Sequence, residues 1–162
     1  RRDAAADGRL MAAADYAGRL RALGLDPAVR EFPEGTHTAQ DAADAIGCPV
    51  AAIVKSLVFT LDGEPLLVLV SGANRVDTDA LGARLGGALG KADARTVKEA
   101  TGYSIGAVPP LAHPAPLRTV IDEDLLRLET LWAAAGTASS VFAIAPAELV
   151  RLAGGEVLAV SR

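Results

Sequence analysis

Ile53-Val54-Lys55-Ser56-Leu57-Val58-Phe59-Thr60-Leu61, then Asp62-Gly63-Glu64, then Pro65-Leu66-Leu67-Val68-Leu69-Val70-Ser71 read as a β-hairpin. Aliphatic and β-branched side chains suit a buried pleated surface, and Asp-Gly supplies the tight turn that joins two antiparallel strands. Alternation places Lys55 on one face with Ile53, Leu57 and Phe59 and turns Val54 and Val58 to the other, so both faces of the first strand read as buried.

On the N-terminal side of the hairpin, Leu10, Ala13, Ala14, Ala17, Leu20 and Leu23 recur at helical spacing, and Gly24 follows as a stop. Residues 1–9 carry neither that pattern nor the long apolar stretch of a secretory signal and are expected to be disordered, leaving 10–162 as one domain. Ala28 to Phe32 reads as a short strand closed by Pro33. The loop Glu34-Gly35-Thr36-His37 then leads to a helix from Ala39 to Ile46, set between a Thr38 cap and Gly47.

On the C-terminal side, Asp77 or Thr78 caps a helix through Leu85, Thr96 to Ala100 offers one further helical turn, and Gly102 to Pro116 forms an ordered loop. Thr119-Val120-Ile121, Glu129 to Ala135, Ser140 to Ala145 and Glu156 to Val160 read as strands. Asp122 or Asp124 begins a brief helical turn, and Pro146 opens a helix running to Ala153. Strands that arrive mainly as hairpins, with helices between some of them, predict an α+β domain with one mixed, mostly antiparallel β-sheet.

Composition narrows the function classes. The 162 residues are 51% hydrophobic and only 4% aromatic, so the core rests on Ala, Val, Leu and Ile, and close packing with small pockets is expected. A net charge of -4 weighs against affinity built on many nucleic-acid phosphates and leaves room for a few local contacts. Cys48 is the single cysteine, and with two histidines it cannot assemble the usual zinc site, so a reduced, cytoplasmic protein without metal or cofactor is expected. No apolar run approaches the roughly 20 residues that span a bilayer. Gly82, Gly86, Gly87 and Gly90 lack the spacing of either phosphate-binding glycine motif.

A few residues carry the possible chemistry. An ammonium at Lys55 either lays its stem on the sheet with its head in water or meets a carbonyl, a phosphate or a developing oxyanion. Gly102-Tyr103-Ser104-Ile105-Gly106-Ala107-Val108-Pro109-Pro110 mixes freedom with rigidity. Such a loop either aims main-chain N–H groups inward, as an oxyanion hole requires, or is a surface crossover. Trp132-Ala133-Ala134-Ala135-Gly136-Thr137 is a strand end of small side chains after one large ring, which leaves room for a ligand but in so alanine-rich a chain reads first as close packing. His113, among Pro110, Pro114 and Pro116, is a candidate to bond substrate or a plain surface group, whereas His37 is isolated. Cys48 reads as a small buried residue, and Ser56 lacks the motif of a nucleophilic serine. Arg84, Lys91, Arg95 and Lys98 form a local excess of positive charge, either a solvated face or a contact for acceptor-stem phosphates.

Taken in order, Ile53-Val54-Lys55-Ser56-Leu57, Thr101 to Pro110, Thr119-Val120-Ile121-Asp122, Ala134-Ala135-Gly136 and Ala145-Pro146-Ala147-Glu148-Leu149 resemble the YbaK/EbsC family, relatives of the insertion editing domain of bacterial prolyl-tRNA synthetase. His113-Pro114-Ala115-Pro116 together with Leu131 to Thr137 looks most like the freestanding ProXp-x branch, and Leu111-Ala112-His113-Pro114 departs from the cysteine-specific YbaK branch. The resemblance implies a barrel-like sheet flanked by helices. It also implies trans-editing, the hydrolysis of the ester that joins a wrong, small amino acid to the 3′ end of tRNA(Pro).

On that resemblance Lys55 matches the family's lysine, and Gly102, Gly106 and Pro109 match its glycine-proline loop. Lys55 and main-chain groups near Gly106 are then the catalytic candidates. Ser56, Gly102, Ala107, Pro109, His113, Trp132, Ala134, Gly136 and Thr137 are the substrate-binding candidates, and no metal is called for. The implied partners are the mischarged tRNA(Pro) acceptor end, with prolyl-tRNA synthetase or elongation factor assisting delivery, and no membrane. Two rivals remain open: a module that binds aminoacyl-tRNA or a nucleotide without cleaving it, and a hydrolase of small esters unrelated to tRNA.

Overall fold

The computed structural model describes residues 15–32 and 38–162. The expected disorder of residues 1–9, the first turn of the first helix and the loop bearing His37 lie outside the described residues.

The elements begin where short-range chemistry starts them. After helix α1 (15–22) and strand β1 (Val29–Glu31), helix α2 (Ala39–Ile46) starts where the Thr38 hydroxyl accepts from the Asp41 N–H. It stops where Gly47 turns left-handed. A 3₁₀ turn (Val50–Ala52) feeds the hairpin of β2 (Ile53–Leu61) and β3 (Glu64–Ser71). Helix α3 (Thr78–Leu85) is capped by the Asp77 carboxylate on the Ala80 N–H.

Several elements differ from expectation. Leu89–Lys91 forms strand β4 on β2, although its central glycine and short length read as a break. Helix α4 covers Ala94–Thr101 rather than Thr96 to Ala100, because Asp93 caps it from outside by accepting the Thr96 N–H. Strand β5 (Thr119–Asp122), a 3₁₀ turn (Glu123–Arg127), β6 (Leu131–Ala134), β7 (Ser140–Ile144), α5 (Pro146–Ala153) and β8 (Glu156–Leu158) complete the domain.

The strands form one mixed sheet in the order β1-β7-β6-β2-β3-β5-β8, with β4 attached to β2. The path is open, and no pairing between its ends, β1 and β8, closes it into a barrel among the described residues. The two faces bury different clusters. Leu66, Val68, Val70, Leu81 and Val120 pack on one side, and Val54, Leu67, Leu69, Ile121 and Phe142 pack on the other. No helix among the described residues is long and apolar enough to cross a membrane.

One irregularity positions the site. β3 covers one edge of β2 from Val54 to Leu61. On the other edge, β6 pairs in parallel with only Ile53 and Val54, and β4 pairs antiparallel with only Phe59 to Leu61. Lys55, Ser56, Leu57 and Val58 therefore have no strand beside them on that edge. The Ile53 carbonyl accepts from the Gly72 N–H on the β3 side. Alternation then turns the main-chain groups of Ser56 and Val58 to the uncovered side. The sheet is split there.

Candidate active site

A cavity of about 680 Å³ fills the split. Its floor is β2 from Ile53 to Phe59, its walls include Val97, Val108, Trp132 and Ala134, and Thr137, Ala138 and Val141 close one end. The expectation of small pockets is therefore corrected: the divergence of β6 from β2 opens a space within the ordinary range of ligand sites.

Lys55 lines this cavity, half-buried, and its ammonium donates to the Asn74 carbonyl at 2.6 Å. Its side chain is therefore held rather than loose in water. Burial holds its pKa below the ordinary lysine value, with a smaller push from the Arg75 guanidinium, and the Asp122 carboxylate acts in the opposite direction. Ser56 follows on the open edge. Its hydroxyl oxygen is buried at the cavity wall with no hydrogen-bond partner among the described residues. An unpartnered buried hydroxyl is costly unless something binds there.

Gly106 lines the same cavity from the glycine-proline loop. The Ala107 N–H donates to Ser104 O at 2.9 Å, closing a turn in which Gly106 has φ +87°. A non-glycine residue is strained in that conformation. The turn consumes the Ala107 amide, while none of the hydrogen bonds among the described residues uses the Gly106 amide.

Trp132, Ala134 and Thr137 also border the cavity. Trp132 stands opposite Ile53 in the parallel pairing, with the Arg30 guanidinium 5.6 Å from its ring centre. The Thr137 hydroxyl is engaged with Ser140 Oγ at 2.6 Å, so it shapes the wall rather than presenting an idle polar group.

The structure does not bring the remaining sequence candidates to this cavity. Gly102 is the left-handed cap of α4, its N–H donating to Lys98 O, and Gly136 occupies the turn between β6 and β7 with φ +90°. Ala107 is spent on its turn, and the Pro109 carbonyl meets His113 Nε2 at 2.7 Å. That contact makes Nε2 the protonated nitrogen of the ring. Burial lowers the His113 pKa, opposed by its bond to Pro109 O, so the side chain is a neutral strut of the proline-rich loop. It borders a separate hollow with Pro110, Pro114 and Leu152. Of Arg84, Lys91, Arg95 and Lys98, only Lys91 reaches the cavity. Arg95 pairs with Glu99 at 3.0 Å, and Lys98 donates to Gly102 O at the end of α4.

Among the described residues, no group of three or more His, Cys, Asp and Glu is placed to hold a metal ion. Cys48 is a free, half-buried thiol whose pKa burial raises.

The sequence profile of the aminoacyl-tRNA editing domain family matches residues 33–152, which include β2, the glycine-proline loop and both walls of the cavity. The chain belongs to the aminoacyl-tRNA editing domain family. This editing domain is 30% identical over 122 residues to the uncharacterized protein YwhH of Bacillus subtilis (strain 168), covering 75% of this chain and 78% of that protein. It is 34% identical over 110 residues to the proline–tRNA ligase of Maridesulfovibrio salexigens, covering 67% of this chain but 19% of the ligase. A crystal structure described as a candidate trans-editing enzyme for prolyl-tRNA synthetase superposes with TM-score 0.88 at 41% identity, covering 93% of this chain and 97% of that one.

Asn74, whose carbonyl holds the Lys55 ammonium, and Asp122, which accepts from the Asn74 side-chain amide, were not singled out as site residues by sequence reasoning. Asp122 was legible as the last residue of a motif carrying the family resemblance and as a helix-turn cap, a task it performs by accepting the Asp124 N–H.

Proposed function

We propose that this editing domain is a deacylase that hydrolyses the ester of small mischarged amino acids, alanine and 2-aminobutyrate among them, on tRNA(Pro). The observation that carries the reading is that a tethered ammonium, Lys55, and the loop glycine Gly106 line one mostly apolar cavity at a split in the sheet. The similar structure, described as a candidate trans-editing enzyme for prolyl-tRNA synthetase, and the partly similar proline–tRNA ligase support the tRNA(Pro) assignment.

The aminoacyl ester enters along the uncovered edge of β2. The Lys55 ammonium and the Gly106 N–H donate to its carbonyl oxygen, and their hydrogen bonds strengthen as negative charge develops there. Water adds to the carbonyl carbon and the bond to the ribose oxygen breaks. The water proton passes to that oxygen by way of the neighbouring ribose hydroxyl, so the products are the free amino acid and intact tRNA. No enzyme nucleophile takes part. Ser56 Oγ and the main-chain groups of Ser56 and Val58 supply polar partners to the aminoacyl-ribose edge. Ala134 and Val141 leave room for a short side chain.

A difference of one methylene is worth only about 1–3 kcal/mol in binding, which is why a synthetase that admits small errors benefits from a second sieve. Deacylation of a panel comprising Ala-, 2-aminobutyryl-, Leu- and Pro-tRNA(Pro) tests the assignment. Rapid loss of the first two with Leu- and Pro-tRNA(Pro) spared is the expected result. Tight binding of all four without accelerated ester loss shows a binding module instead, and equal turnover of free alanyl esters shows a hydrolase indifferent to tRNA.

A further inference from the structure

Lys55, Val70 and Asp122 lie in one row across the sheet. Lys55 stands opposite Val70 in the β2–β3 pairing. Val120 pairs with Val68 on the β3–β5 side and packs in the same cluster as Val70, so alternation puts Asp122 on that face as well. Two strand spacings of about 4.8 Å each separate the lysine backbone from that of the aspartate. Asn74 bridges the interval. Its carbonyl accepts from Lys55 Nζ at 2.6 Å, and its side-chain amide donates to Asp122 Oδ2 at 2.9 Å and to Asp124 Oδ2 at 2.8 Å.

The segment carrying Asn74 is fixed from several sides. The Ser71 N–H donates to Asp122 Oδ2 at 3.0 Å, the Asn74 N–H donates to Ser71 O, and the Gly72 N–H donates to Ile53 O. A side chain at Gly72 would meet the Val50 carbonyl at 2.4 Å, so the segment approaches as closely as it does only because that residue is glycine. Asp122 is almost wholly buried, at 1% exposure, and its carboxylate accepts from Ser71, Asn74 and Asp124. Both bonds to Asp122 Oδ2 come from the segment 71–74, while Oδ1 caps the turn that follows, so this buried carboxylate fixes the position of that segment and of its carbonyl.

We propose that Asp122, acting through Asn74, is the positioning residue that sets where the Lys55 ammonium stands in the cavity. The inference deepens the deacylase reading and rests on it for its catalytic consequence. The arrangement leaves one N–H of the ammonium on Asn74 and the others directed by that bond, so that the donor is placed before substrate arrives. The charged groups around Lys55 are Arg75 on the segment after β3, Asp122 at the end of β5, Glu123 and Asp124 on the following turn, Arg162 paired with Glu123 and near Asp124, and Lys91 across the cavity. Among them Asp122 favours the protonated lysine and Arg75 disfavours it. Removing the Asp122 charge therefore makes Lys55 lose its proton at lower pH.

Two variants and two readouts test this. In Asp122→Asn the Lys55 ¹³Cε NMR titration midpoint is expected to fall below that of the wild-type protein, and the alkaline limb of the deacylation profile to move to lower pH with it. Asn74→Ala leaves the bonds of Asp122 to Ser71 and Asp124 in place. It is expected to lower kcat on Ala-tRNA(Pro) on the order of 10- to 100-fold, the size expected for a displaced catalytic group, with KM little changed. If Asp122→Asn does not fold, the Asn74→Ala arm decides. An unmoved midpoint in folded Asp122→Asn, or wild-type kcat in Asn74→Ala, overturns the proposal. Should the wild-type protein fail to accelerate ester loss from Ala-tRNA(Pro), the deacylase reading fails, while the NMR midpoints still decide whether Asp122 governs Lys55.

Discussion

Replacing Lys55 by alanine is expected to lower kcat for Ala-tRNA(Pro) hydrolysis by about 10²- to 10³-fold, the loss typical of removing one oxyanion donor. KM should change far less, because the bond to the ester oxygen strengthens mainly as the tetrahedral oxyanion forms. Folding should be nearly unaffected. The side chain is half-buried, and its one intramolecular bond leaves behind only the carbonyl of Asn74, itself a half-buried residue. Single-turnover deacylation with both proteins, alongside thermal melts, measures the two effects separately. A variant of normal stability that retains wild-type kcat removes Lys55 from the chemistry.

The other large effect is on stability. Phe142→Ala is expected to destabilise the domain by about 3–5 kcal/mol, the usual cost of deleting a fully buried ring and leaving a cavity. Phe142 is completely buried, its ring centre 5.7 Å from that of Tyr16. Tyr16 in turn stands edge-on to Tyr103 and donates its hydroxyl to Leu111 O at 2.8 Å. In a chain so poor in aromatics, this cluster ties α1, β7 and the glycine-proline loop together. Phe142 also pairs with Ala133 on β6, the strand that carries Trp132 and Ala134 to the cavity wall. For a domain of this size the melting temperature should fall on the order of 10 °C, read by circular dichroism. A drop of only a degree or two would show that the core does not depend on this ring.

Much of the fold was legible because its signals are local. The Asp62-Gly63 turn and the Thr38 and Asp77 caps each involve residues within a few positions of one another, where steric and hydrogen-bonding preferences act without help from the rest of the chain. Strand β4 escaped because its three residues around Gly90 are held by pairing with β2 rather than by their own preference. Lys55 stood out as a charge in an apolar strand, and Gly106 as a glycine in a proline-rich loop.

The rest of the site depends on contacts that no local pattern announces. Asn74 and Asp122 lie 48 residues apart and meet only because β3 and β5 are parallel neighbours. Ala107 and Pro109 sit in the glycine-proline loop and read as substrate-binding candidates, yet folding spends the Ala107 amide on Ser104 and the Pro109 carbonyl on His113. The uncovered edge of β2 follows from the lengths and directions of two distant strands, and the cavity with it.

A crystal structure of the protein with a non-hydrolysable 3′-amide analogue of alanyl-adenosine reaches the central claim directly. The analogue's carbonyl oxygen should lie within hydrogen-bonding distance of both Lys55 Nζ and the Gly106 N–H, with its methyl group toward Ala134. An analogue seated away from the split in the sheet, or bound there with its carbonyl turned from Lys55, would contradict the account.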